Sequence, residues 1–118
     1  MRPFFEAVDR GEIEVVTSVL TLTEVLVYPL RDGNHRLAEQ YRKILLHARN
    51  VRTVSITDRI AESAAELRGQ HGLRTPDAIQ IATAVHSGAT SLLTNDSRFS
   101  KVSRLNVLIL DQVVASSA

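Results

Sequence analysis

Short β-rich runs alternate with helical segments along this chain, and that alternation restricts its fold more than any other feature. Glu14-Val15-Val16-Thr17-Ser18 reads as a strand. Leu20 to Tyr28 follows as a helix that Pro29 is expected to stop. After the loop Arg31-Asp32-Gly33-Asn34, the stretch Arg36 to His47 sets Leu37, Tyr41, Ile44 and Leu45 at helical spacing. Val51 to Ile56 is the next strand, and Thr57 caps a helix that carries Ile60, Ala61, Ala64 and Leu67 on one face and ends near Gly69 or Gly72. Thr75-Pro76-Asp77 starts another helix, with Thr75 as N-cap and Pro76 in the first turn. That helix runs to about His86 and is mostly apolar, with Asp77, Gln80, Thr83 and His86 forming a narrow polar stripe. Ser91 to Thr94 is a short strand, Asn95 to Phe99 a turn, and Asn106 to Leu110 a last strand. Residues 112–118 read as a tail, frayed at its end.

Strands separated by helices of about 10–15 residues make βαβ units, so the expected fold is α/β, a three-layer α/β/α sandwich around a mainly parallel sheet. No repeat or linker divides residues 1–118, which read as one domain. With 44% hydrophobic and 23% charged residues the chain has a globular balance, but only 4% aromatics, so the core must come from Val, Ile, Leu and Ala. A net charge of +1 gives no global case for nucleic-acid binding; any such case is local. Cysteine is absent, which excludes disulfides and thiolate metal sites and fits a cytoplasmic protein. No apolar run approaches the roughly 18 residues of a membrane span. The first residues carry Arg2, Glu6, Asp9 and Arg10 without the apolar stretch of a signal peptide.

Ligands of parallel sheets gather beyond the carboxyl ends of the strands. Three acids stand near such places: Glu24, Asp77 and Asp96. Hard divalent cations take oxygen ligands, and converging carboxylates supply them. Each acid also has a structural reading. Thr21-x-x-Glu24 matches a capping box, Asp77 complements a helix N-terminus, and Asp96 in Asn95-Asp96-Ser97 suits an Asx turn. Arg98, Lys101 and Arg104 cluster after Asp96, and Arg74 precedes Asp77; they suit RNA phosphates and a solvated basic loop equally. His35, His47, His71 and His86 lack zinc-like spacing.

The wording around the acids resembles a known family. Thr17-Ser18-Val19-Leu20-Thr21-Leu22-Thr23-Glu24-Val25, then Thr75-Pro76-Asp77-Ala78-Ile79-Gln80-Ile81-Ala82-Thr83-Ala84, then Leu92-Leu93-Thr94-Asn95-Asp96-Ser97-Arg98-Phe99 resemble, in order, three motifs of the PIN-domain family. The resemblance extends from about Pro3 to Leu110. It implies a Mg²⁺- or Mn²⁺-dependent ribonuclease, most often the toxin of a VapBC toxin–antitoxin pair, with RNA as substrate, a VapB-like antitoxin as partner and a homodimer as the expected assembly. By motif match Glu24, Asp77 and Asp96 fall on the catalytic, metal-site acids. Thr94 and Asn95 fall on polar positions lining that site, and Ser18 on a small polar position at its strand end. Arg74, Arg98 and Lys101 are the candidate RNA-binding residues.

One departure stands out. Members of the family begin with a central strand ending in a further metal-binding Asp, whereas this sequence starts inside the following helix. Asp9, Glu6, Glu12 and Glu14 do not align with that strand end. The expectation is a sheet without its first, central strand, closed by direct pairing of the flanking strands, by a second copy or by a start further upstream, and low or no cleavage. The alternative is a non-catalytic remnant that binds protein or RNA. A phospho-acceptor or phosphatase domain would need a nucleophilic Asp ending the first strand, and none is present.

Overall fold

The computed structural model describes residues 14–89, 91–96, 98 and 106–117. β1 (Val15–Ser18) leads into α1 (Val19–Arg31), α2 (His35–Arg42) and a π-helical extension (Lys43–His47). β2 (Val51–Val54) is followed by α3 (Asp58–His71), α4 (Thr75–His86) and β3 (Ser91–Thr94). β4 (Asn106–Ile109) and α5 (Leu110–Ser117) complete the described chain.

The four strands form one parallel sheet in the order β2-β1-β3-β4. β1 pairs with β2 from Val15↔Val51 to Ser18↔Val54, and β3 with β4 from Ser91↔Asn106 to Thr94↔Ile109. Between β1 and β3 the registered pair is Val16↔Leu92. Residues 1–13, with Glu6, Asp9 and Glu12, lie outside the described residues.

Side chains alternate across a pleated strand, and here the alternation builds two cores. Val15, Leu93 and Leu108 pack with Val25, Tyr41 and Leu45, so α1 and α2 cover one face. Val113 and Val114 of α5 join that face. Val16 and Leu92 point the other way and meet Ala84 of α4. Ile60 and Ala64 of α3 pack against Ala78 and Ala82 of α4. Small residues at that contact allow the two helices to approach closely without voids. The result is the expected three-layer α/β/α arrangement.

Several boundaries differ from those read in the sequence. Pro29 does not stop α1 but lies buried inside it. A proline in a helix removes one N–H and so one intrahelical bond. The helix nevertheless continues to Arg31, and the N–H groups of Asp32 and Asn34 close its end on the carbonyls of Tyr28 and Pro29 at 2.9 and 2.8 Å. Gly33, with φ +69°, makes the left-handed turn that follows. Thr75 is not the N-cap of α4; Arg74 holds that place, and a guanidinium cannot accept a backbone N–H. β2 ends at Val54 rather than Ile56, and Leu110 begins a helix instead of ending β4. Residues 112–117 are accordingly helical rather than a frayed tail, held by Val113 and Val114 on the core. Thr57 caps α3 as expected, its hydroxyl accepting the Ile60 N–H at 3.2 Å, and Gly72 closes it at φ +65°.

Candidate functional site

The structure removes one structural reading of Glu24. Ser18 is the N-cap of α1, and its Oγ accepts the Leu20 N–H at 3.1 Å. Thr21 therefore lies inside the helix, and Thr21-x-x-Glu24 forms no capping box. Thr21 is buried and receives hydrogen bonds from the Thr17 hydroxyl at 2.8 Å and from Gln80 Nε2 at 2.6 Å. This chain of polar groups ties β1, α1 and α4 together in the interior. Gln80 lies one turn from Asp77 and Thr21 one turn from Glu24, so the Thr21–Gln80 bond fixes how the two acids stand to each other. Gln80 Oε1 is buried and has no hydrogen-bond partner.

Above this floor opens a cavity of about 460 Å³. Glu24 and Tyr28 line it from α1, Arg74, Asp77 and Gln80 from the start of α4, and Thr94, Asn95, Asp96 and Arg98 from the end of β3. Three motifs distant in sequence thus meet beyond the carboxyl ends of β1 and β3, where a parallel sheet places its ligands. Ser18 serves as a buried cap and does not line the cavity. Lys101 lies outside the described residues.

Asp96 does form the Asx turn, its Oδ1 accepting the Arg98 N–H at 3.0 Å, while its own N–H donates to Thr94 Oγ1 at 3.3 Å. Its carboxylate also receives Arg98 Nε at 2.9 and 3.0 Å, and Arg98 Nη2. Arg74 reaches across the cavity. Its Nε and Nη2 bond both oxygens of Asp77 at 3.0 and 3.1 Å, and Nη2 meets Asp96 Oδ2 at 3.3 Å. The Asp77 hydrogen bond above all raises the Arg74 guanidinium pKa; desolvation opposes it, and the charges of Asp77, Asp96 and Glu24 add to the rise. The Glu24 carboxyl is also pushed up, first by burial and then by the charges of Asp96 and Asp77, with Arg74 opposing.

The donor set suits a hard divalent cation: three carboxylates line one cavity, where burial first and the charges of Asp96 and Asp77 second raise the pKa of Glu24. The side-chain arrangement does not yet close on one ion. Among the described residues, no group of three or more Asp, Glu, His or Cys side chains lies close enough together to hold a metal. Asp77 and Asp96 are instead turned onto the two arginines. The residues fit the cation in chemistry, with Asp77 and Asp96 each held by a guanidinium in this structure.

A second layer escaped the sequence. Asn95 Oδ1 accepts the Asp111 N–H at 3.0 Å, and Asn95 Nδ2 donates to Asp111 Oδ2 at 3.2 Å. The Tyr41 hydroxyl donates to Asp111 Oδ1 at 2.7 Å. The residue next to Asp96 is thereby tied through α5 to α2. Sequence separations of 16 and 70 residues hide both contacts from any local pattern. Tyr28 was equally unmarked, although its i+4 spacing from Glu24 was a signal that could have found it.

Comparisons with known proteins agree with this frame. The PIN domain family matches residues 2–105. A solved structure described as a toxin–antitoxin complex from Klebsiella pneumoniae is similar at 26% identity and a TM-score of 0.54, over 77% of this chain and 69% of that one. No curated protein matches. A match running through all three acid-bearing motifs, on a parallel α/β/α frame, makes this chain a member of the PIN domain family, whose members are generally nucleases.

Proposed function

We propose that this chain is a Mg²⁺- or Mn²⁺-dependent endoribonuclease of the VapC toxin type, which hydrolyses RNA phosphodiesters. The observation that carries the reading is the single cavity into which Glu24, Asp77 and Asp96 are brought from three elements. These three acids would hold the cation. When bound, it would polarise the phosphodiester and lower the pKa of the attacking water. Thr94 and Asn95 set the position of Asp96, and the Thr21–Gln80 bond sets that of Glu24 against Asp77. Arg74 and Arg98, once off the carboxylates, are within the same cavity to take phosphate oxygens.

The same reading includes a VapB-like antitoxin as partner, supported by the toxin–antitoxin complex among similar structures. It also includes a homodimer and a cytoplasmic site of action. Among the described residues no helix is long and apolar enough to cross a membrane.

One observation favours the competing reading, a non-catalytic PIN module that binds protein or RNA: Asp77 and Asp96 are both spent on arginines. The test is cleavage of a mixed RNA substrate by the purified chain with Mn²⁺, beside Asp77→Asn and an EDTA control. Cutting that needs metal and disappears in the variant supports the nuclease. A folded protein that binds RNA and leaves it intact supports the binding module.

A further inference from the structure

Tyr28 is placed unlike Tyr41, the one other aromatic side chain among the described residues. The sequence holds only two tyrosines and no tryptophan. Tyr41 is buried in the core, whereas Tyr28 is 62% exposed. An exposed ring gives up the burial that would stabilise the fold, so its position invites a reason. Tyr28 lines the cavity shared by Glu24, Asp77 and Asp96. It is four residues from Glu24 on α1, so the two are neighbours on one helix face. Val27 and Leu30, exposed on the same helix, do not line the cavity. The ring therefore belongs to the site and not merely to an apolar surface. Arg31 sits 4.5 Å from the ring centroid and is itself bonded to Asp32 at 3.0 Å. A guanidinium on one side restrains the ring, and with it in place the ring still shows most of its surface to solvent.

A carboxylate-lined cavity with guanidinium groups and an exposed aromatic ring at one side has the parts needed for one nucleotide: cationic contacts for phosphate and a flat apolar surface for a base. We infer that Tyr28 is a base-stacking platform, which takes an unpaired nucleobase beside the phosphate held at the acids. The inference rests on the RNA reading above and narrows it. A base can reach the ring only when unstacked from its neighbours, so the preferred substrate is single-stranded. Stacking is tolerant of base identity, so the platform selects strandedness rather than sequence.

Because the chain has no tryptophan, Tyr28→Trp creates its sole indole and a direct reporter. The experiment titrates this variant, in Ca²⁺, with a single-stranded RNA oligonucleotide, an abasic strand of equal length and an RNA duplex. Anisotropy of the labelled strands is measured in parallel for the parent chain and Tyr28→Ala. The expected result is quenching of the indole by the base-bearing strand alone. Tyr28→Ala should weaken binding of that strand by about 5- to 100-fold and leave the abasic strand unchanged. Equal affinity for base-bearing and abasic strands, or no quenching on binding, overturns the platform while the nuclease reading stands. Parent chain that binds none of the three overturns both. A change in oligomer mass on Tyr28→Ala without a change in RNA affinity makes the ring a protein contact and also overturns the platform.

Discussion

Arg74 grips Asp77 with two nitrogen–oxygen bonds of 3.0 and 3.1 Å across the first turn of α4, and the same guanidinium reaches Asp96 at 3.3 Å. An arginine fork on a carboxylate is the strongest common form of this contact, though a half-exposed arginine keeps the net contribution modest. The two acids thus have an internal counter-ion that a divalent cation has to displace.

Arg74→Ala should therefore tighten Mn²⁺ binding, by about two- to fivefold if the pair contributes what exposed pairs usually do. Arg74→Lys keeps the charge but not the fork, and should fall between. Calorimetric titration with Mn²⁺ reads this without any cleavage. Affinity that stays level or drops in Arg74→Ala would show that the arginine does not compete.

Glu24→Gln should raise thermal stability at pH 7 while weakening Mn²⁺ binding. The folded-state pKa of Glu24 lies above its ordinary value of 4.5, so the folded chain holds this proton more tightly than the unfolded chain does. Ionisation then costs stability as pH rises from that ordinary value through the raised one, and below it there is no cost. The gain from Gln should be within about 1 kcal/mol, since the carboxyl still meets water, and should vanish near pH 4. Melting curves at both pH values test the sign.

Tyr41 has its hydroxyl pKa pushed up to about 12, by burial first and then by its bond to Asp111. The unfolded chain loses this proton nearer 10, so the stabilisation is intact below pH 10 and declines between there and about 12. Tyr41→Phe should lack that alkaline decline relative to the parent. Asp111→Ala should bring the tyrosinate absorbance of Tyr41 to lower pH. It also releases Asn95, so Mn²⁺ affinity should fall along with it. A Tyr41 titration unmoved by Asp111→Ala would contradict the contact.

Leu92→Ala should cost about 2–5 kcal/mol, the usual range for a buried leucine. Leu92 is fully buried and packs with Val16 and Ala84. Urea denaturation measures it directly. A loss under about 1 kcal/mol would mean that the packing there relaxes around the gap.

The alternation of strand and helix was legible because its signals are local: β-branched runs in Val15–Ser18, Thr57 and Gly72 around α3, Pro76 in the first turn of α4. Pro29 misled because its cost is local while its burial in the core is tertiary. The α5 helix was missed for the same reason, as Val113 and Val114 acquire a partner only when the sheet is assembled. The three acids could be picked out by their motifs, but their grip by Arg74 and Arg98 could not. Arg74 and Asp96 are 22 residues apart, and no periodicity relates them. The Tyr41–Asp111 bond spans 70 residues and the Asn95–Asp111 bonds 16, which places both beyond any local pattern.

The seam between β1 and β3, registered at Val16↔Leu92, has a mechanical consequence. β1 and β2 make one half-sheet and β3 and β4 the other, each paired along its full length. Glu24 follows the first half and Asp96 follows the second, so the acids stand on opposite sides of that seam. α4 is the splint across it, since Ala84 packs against Val16 on one side and Leu92 on the other. The carboxylate site thus straddles a join between two strand pairs, and α4, which bears Asp77, is the element packed across it.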